Sequence, residues 1–373
     1  MPESEDVGDR RVGSKDGEIF RLPTAAEGKV LKRGAEKWGA GDAVAKLSEF
    51  EIDALSAIAA SLNTKTDDEV VRFCNAFGVV LVSAVLNEPS LSSSKVATIL
   101  SNVSDDYPHR VAELIGDLSF TPSKLAEIFN SPNLSVSKIA EALNYTKKHG
   151  YWNYDWDWVV AVNYISIPKI ALIFNDDNLS PAKAGDIFDI LTTDMSVSIY
   201  NSSDFSIQRG SDIISAMTLS TAINIFDDYN FQLEKGASIL DITAIQRAID
   251  IITDLTSNKG AKYLDHDNLS VSKGADIIDG LLLAKAVGVL DSTYMSKAKG
   301  SSILNSLTLQ KAIDIITDLT SDKGAEYLDH DNLSVSKGVD IINGLLLAKA
   351  VGVLDSTNMS SFKGASIFDL FTT

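Results

Sequence analysis

Residues 246–308 recur almost verbatim as 310–372, and this tandem duplication at an offset of 64 constrains the fold more than any other feature of the chain. Gln246-Arg247-Ala248-Ile249-Asp250-Ile251-Ile252 returns as Gln310-Lys311-Ala312-Ile313-Asp314-Ile315-Ile316, and Tyr263 to Leu290 returns nearly unchanged as Tyr327 to Leu354. A chain that copies itself in this way builds one substructure twice, and stacked copies are the architecture of a repeat array.

A finer repeat lies inside the block. Its pattern is apolar-Ser-x-x-Lys-small-x-acidic-Ile-apolar, as in Leu269-Ser270-Val271-Ser272-Lys273-Gly274-Ala275-Asp276-Ile277-Ile278 and in Leu134 to Leu143. Anchored on the basic residue, 18 copies run from Lys95 to Lys363, mostly 12 or 14 residues apart. Weaker copies at Met195-Ser196-Val197-Ser198 and Leu219-Ser220-Thr221-Ala222 bring the array to about twenty units over 91–373. Each unit reads as a short helix. Ser or Thr stands three residues before the basic residue in 13 of the 18 copies, the place of an N-cap that accepts a bond from an orphaned backbone N–H. An apolar residue precedes that cap in 16 of 18, positioned to cover the first turn. Small residues after the Lys allow close helix approach, and apolar residues two, four and five places after it form the buried stripe. Helices this short do not persist alone and must gain stability by stacking.

The duplicated block holds five units, an odd number. In a simple two-layer arrangement an odd shift swaps layers, so the units are either near-equivalent along a tight superhelix or grouped as five-helix modules. The 12/14 step pattern repeats every five units and favours modules.

The fold expected is therefore all-α: an α-helical repeat array, a solenoid or superhelix of about twenty short units, behind an N-terminal helical cap. Residues 1–40 read as a polar arm and 41–90 as the cap, with Lys46 to Leu62 and Asp67 to Leu86 as two longer helices. Residues 91–245 read as degenerate repeats with an aromatic insertion at 145–164, and 246–309 and 310–373 as the two blocks.

Composition enters as a filter. With 373 residues, 45% of them hydrophobic, the chain can bury a real core. A single Cys rules out a disulfide framework and a Cys-based zinc site. The polar first twenty residues carry no signal peptide, and the longest apolar stretch, Phe77 to Leu86, is half a membrane span. These features point to a soluble protein with no membrane partner, cytoplasmic or intracellular, with a virion-associated setting also compatible. The net charge of −18 argues against broad nucleic-acid binding without removing a local basic stripe.

Three features could carry function. The first is the basic column, for which Lys95, Lys124, Lys138, Lys273, Lys299, Lys311, Lys337 and Lys363 are the candidate phosphate contacts. A basic residue beside a helix N-terminus can grip a phosphate backbone. The bland reading is an intrahelical charge pair, because the residue three places later is acidic in 10 of the 18 copies. Residues 91–373 hold 22 basic and 35 acidic residues, which weighs toward the bland reading. The second is the run Tyr151 to Trp158, with Trp152, Tyr154, Trp156 and Trp158 as candidates for a protein interface or for stacking a sugar or base, against a plain core-filling role. The third is the turn Leu264-Asp265-His266-Asp267-Asn268, repeated at 328–332, whose Asp, His and Asn could ligate a metal but lack the Gly and distal Glu of a calcium loop. Asp and Asn are favoured in turns before a cap, so the structural reading leads there.

No catalytic motif is present. His109, His149, His266 and His330 are scattered, and Cys74 lies in an apolar helix. The expectation is a non-enzymatic scaffold, without cofactor, that binds a protein partner or its own copies. The alternative is a nucleic-acid-binding solenoid using the Lys column, and a third reading is a small-ligand or glycan site at the Trp cluster.

Overall fold

The computed structural model describes residues 12–13, 19–20, 49–103, 109–147, 162–163 and 165–371. Among the described residues there are 23 helices, from Glu49–Asn63 to Ser361–Phe371, and the helices pack in series as a repeat array. Two antiparallel ladders of two residues per strand, Val12–Gly13 with Ile19–Phe20 and Thr146–Lys147 with Val162–Asn163, are the β-structure there. The chain divides into two compact units, Met1–Leu179 and Ser180–Thr373.

The capping pattern read from the sequence is realised in the backbone. Ser92, Thr121, Ser135, Ser180, Ser206, Thr256, Ser270, Ser296, Thr308, Thr320, Ser334 and Ser360 each accept a bond from the N–H of the basic residue three places on. Of the 13 Ser or Thr at that position, Ser166 alone makes no such bond. The apolar residue before the cap is buried in every copy that has one, from Leu91 to Met359. Ala275, Ile277 and Ile278 show the stripe two, four and five places after the Lys, all buried. Each fully buried Ile is worth about 1.5–3 kcal/mol of transfer free energy, against which the ordering of the helix is set.

Within the second unit each helix packs on the helix two places away, giving two interleaved stacks. Ile245–Asp254, Val271–Gly280, Lys297–Ser306, Ser321–Asp329 and Leu347–Leu354 follow one another in one stack. Ser257–Asp265, Leu283–Leu290, Leu309–Asp318, Val335–Gly344 and Ser361–Phe371 follow one another in the other. The same packing links Glu49–Asn63 to Val79–Asn87 and Asp67–Ala76 to Ser93–Asn102 in the first unit.

Two expectations are corrected. The stacking runs without a break across the boundary between the duplicated blocks, so five-helix modules do not form. The odd count moves each sequence from one stack to the other; Val271–Gly280 and its copy Val335–Gly344 lie in different stacks. The units are equivalent enough to serve in either. The single helix expected over Asp67 to Leu86 is two, Asp67–Ala76 and Val79–Asn87, because Phe77 turns extended and Gly78 becomes the N-cap of a new helix. The cut restores the length of the other units, and the Thr66–Glu69 capping box opens the first half.

Candidate functional site

The basic column is the first sequence-predicted site, and its side chains reach back to backbone carbonyls of earlier turns. Lys299 Nζ donates to the carbonyl oxygens of His266, at 3.1 Å, and Leu269. Both belong to the turn that leads into Val271–Gly280, the helix on which Lys297–Ser306 is stacked. The same step recurs along the array. Lys95 donates to Asn63 and Lys65 (2.8 and 2.7 Å), Lys124 to Leu91 (2.8 Å) and Lys138 to Val103 (3.4 Å). Lys273 donates to Thr243, Lys311 to Leu281 (2.7 Å), Lys337 to Leu307 (2.7 Å) and Lys363 to Leu333 (2.9 Å). Lys285 and Lys349 reach Leu255 and Leu319 in the same way. Where Arg replaces Lys the fork takes more: Arg247 serves Ile214, Met217 and Thr218, and Arg110 serves Cys74 and Phe77.

Each cation thus sits at the C-terminal end of the helix three units earlier, where unpaired carbonyls and the negative end of the helix dipole collect. This is a role that the sequence reading had not weighed beside the phosphate track and the charge pair. Pairs at the three-residue spacing do occur, Arg110–Glu113 at 3.3 Å and Lys323–Glu326 at 3.4 Å. The acid also takes other partners. Asp212, Asp250 and Asp314 accept from the amides of Gln208, Gln246 and Gln310 at 2.8–3.0 Å.

Burial against the turn pulls Lys124, Lys235, Lys259, Lys285, Lys299 and Lys349 below the ordinary lysine range. Lys169, buried and donating to the Asp117 carbonyl, is taken down to about 8 by desolvation, with Asp117 opposing. Its folded value lies below its unfolded one, so between about pH 8 and 10.5 the unfolded chain binds the extra proton and this group's contribution to stability rises with pH. Urea unfolding at pH 8 and pH 10 checks this. The difference between wild type and Lys169→Met is expected to shift in favour of wild type at the higher pH, and a shift the other way counts against it.

A second set of bonds ties the same ends together. Asp265, closing Ser257–Asp265, accepts from Ser296 N at 2.8 Å and Ser296 Oγ at 2.6 Å, and Asp329 does the same for Ser360. Asp189 and Asn87 hold Thr218 and Thr121 likewise. The N-cap that holds its own helix is itself held by the helix three units before.

This accounts for the repeated Asp-His-Asp-Asn turn. Asp265 is the acceptor just described. His266 Nδ1 accepts from Asn268 N at 3.1 Å, the bond that Asp228 and Asp176 make to Asn230 and Asn178 in other units. Asn268 Nδ2 donates to Ser238 Oγ at 2.9 Å. The second copy repeats all three through Asp329, His330 and Asn332. His266 therefore does the work of an Asx turn, with its imidazole nitrogen in place of a carboxylate oxygen. Among the described residues no group of three or more His, Cys, Asp and Glu side chains is placed to hold a metal ion. Cys74 is buried, and burial pushes its thiol up to about 12, far from a nucleophile's range. Trp152, Tyr154, Trp156 and Trp158 lie outside the described residues.

The structure also shows residues that the repeat pattern concealed. Leu282 and Leu346 occupy N-cap positions where most copies carry Ser or Thr, make no capping bond, and are 79% and 78% exposed. They fall 64 residues apart, at the same place in the two blocks. No helix among the described residues is long and apolar enough to cross a membrane. Compared with protein-family models, with curated proteins and with solved structures, the chain finds no match.

Proposed function

We propose that this protein is a non-enzymatic helical-repeat scaffold that binds another macromolecule, a protein partner or its own copies, through apolar positions displayed periodically on the array. The observation that carries the reading is the pair Leu282 and Leu346. At each, a capping hydroxyl worth about 0.5–2 kcal/mol is replaced by a leucine that protrudes into solvent, and the replacement is made twice at one interval. Local stability is given up for an exposed apolar group, the pattern expected of a contact surface. Two equal contacts on one chain favour an avid partner. The nucleic-acid alternative is weakened by the eight candidate lysines, each of which donates to a backbone carbonyl, and by the net charge of −18.

The double variant L282S/L346S tests the reading. It is expected to raise the unfolding free energy measured in urea by about 0.5–2 kcal/mol per restored cap, and to lose partners that wild type retains in quantitative capture. Equal recovery of every partner by both baits sinks the proposal. Heparin binding at low salt that is lost steeply as salt rises would support the Lys-column alternative, and no binding even at low ionic strength sinks it.

A further inference from the structure

We infer that Leu282 and Leu346 face opposite edges of the array, and that each takes a basic protein segment whose apolar side chain is flanked by Lys or Arg, so that one chain bridges two partner surfaces. The inference rests on the scaffold reading and gives its contacts a direction and their occupant a chemistry.

The direction follows from how the helices are tied. The start of Leu283–Leu290 is joined by the chain to the end of Val271–Gly280, and by Lys285 Nζ to the Leu255 carbonyl at the end of Ile245–Asp254. Lys311, at the start of Leu309–Asp318, reaches the Leu281 carbonyl at the end of Val271–Gly280. At this edge, then, helices of one stack begin where helices of the other stack end. The remaining ties define the opposite edge, with the stacks exchanged. Lys299, at the start of Lys297–Ser306, reaches the turn after Ser257–Asp265, and Lys349, at the start of Leu347–Leu354, reaches the Leu319 carbonyl after Leu309–Asp318. Leu282 stands at the first edge and Leu346 at the second. An even number of helices in the duplicated block would have put both on one edge; five puts them on two.

The exposure belongs to the position in the unit rather than to its place along the chain. Leu282, with six described helices after it, is 79% exposed, and Leu346 is 78% exposed. The charges around them fix the occupant. Lys285 and Lys349, whose N–H groups donate to the Leu282 and Leu346 carbonyls, turn their ammonium groups onto the carbonyls of Leu255 and Leu319. Asp254 and Asp318, which act on those two ammonium groups, are themselves exposed, and Asp279 is exposed three residues before Leu282. Cations are turned inward and carboxylates outward at both leucines, in a chain of net charge −18. An apolar side chain framed by cations complements such a surface, and a second copy of this acidic chain does not.

The probe is a bead densely coated with a synthetic amphipathic helix of leucine and lysine, at physiological salt. Wild type is expected to bind and to agglutinate the beads, because a chain held by one edge presents the other outward. Leu282→Ser and Leu346→Ser are each expected to bind within about twofold of wild type, as independent sites do, and not to agglutinate. L282S/L346S is expected to bind at least about tenfold more weakly, having lost an apolar contact at each site. Each substitution restores a capping hydroxyl, so the variants keep their fold. Beads carrying glutamate in place of lysine are expected to capture none of these chains. Wild type that binds without agglutination, and about 10²–10⁴-fold more tightly than either single variant, has both sites on one surface and overturns the opposed edges. Wild type that ignores the lysine beads, or binds the glutamate beads equally, overturns the basic occupant, and a double variant that binds as wild type does overturns the leucine sites. The scaffold reading itself stands or falls separately, on the partners that L282S/L346S loses in capture.

Discussion

Tyr327→Ala is expected to cost about 3–5 kcal/mol, the range for removing a large ring from a packed interior. Tyr327 is fully buried, its ring lies over Gly300, and its hydroxyl donates to the Leu290 carbonyl. Tyr327→Phe keeps the ring and strands that carbonyl, so about 1–3 kcal/mol is expected. Gly300→Ala attacks the contact from the other side. In an exposed helix interior that change would gain about 1 kcal/mol, but here the new Cβ would sit 2.7 Å from Tyr327 Cζ. Overpacking of about 1–3 kcal/mol is expected to win. The pair should couple: in Y327A/G300A the added methyl enters space that the ring has left, and the double variant should be more stable than the sum of the singles predicts, by about 0.5–3 kcal/mol. Urea unfolding followed by helical circular dichroism measures all four, and strict additivity would show that the ring does not occupy the glycine's hollow.

Lys299→Met is the second large effect. The methionine keeps most of the aliphatic stem and removes the ammonium, leaving the His266 and Leu269 carbonyls without their donor. About 1–3 kcal/mol is expected. Lys297→Met is the control: Lys297 is more exposed and pairs with Glu326 at 3.5 Å, and a surface pair of this kind is worth about 0–1 kcal/mol. Salt separates the interpretations. An ammonium held against turn carbonyls is little affected by screening, whereas a surface charge pair loses much of its worth near 1 M salt. The deficit of Lys299→Met should therefore persist at high salt. A deficit that vanishes with salt would show that Lys299 acts through the charges of Asp265, Asp267 and Asp241 around it rather than through the turn carbonyls.

The local half of each unit was legible because its signals are local. Ser270 caps the N–H of Lys273 three residues on, Leu269 covers the first turn, and Ile277 and Ile278 fall on the buried stripe; each lies within ten residues of the others. The function of Lys273 was not legible, because its partner is the carbonyl of Thr243, 30 residues back. A carbonyl belongs to every residue and leaves no mark in the sequence. An acid three residues after the Lys was visible, and visibility favoured the charge pair. The contact between Gly300 and Tyr327 was hidden in the same way, although the small residue after the Lys was read correctly as permitting close approach. The break at Phe77–Gly78 was masked by an apolar run that continues across it. His266 resembled a ligand until its neighbours in other units, Asp228 and Asp176, showed that the turn asks only for an acceptor. Leu282 and Leu346 could have been found earlier, as leucines standing where the pattern calls for a capping hydroxyl.

The reach of these bonds has a consequence for how such a chain can change length. In the duplicated blocks the basic side chains grip turns about thirty residues behind them, as Lys273 grips Thr243 and Lys337 grips Leu307. Excising 246–309 would bring Gln310 behind Ile245, and Lys311 would then meet the turn around Met217 that Arg247 now holds. Because a unit serves equally in either stack, the odd number of helices removed leaves no mismatch. Whole blocks can therefore be gained or lost at a single splice, so that the protein is a ruler whose number of divisions is open to revision while the spacing between them stays fixed.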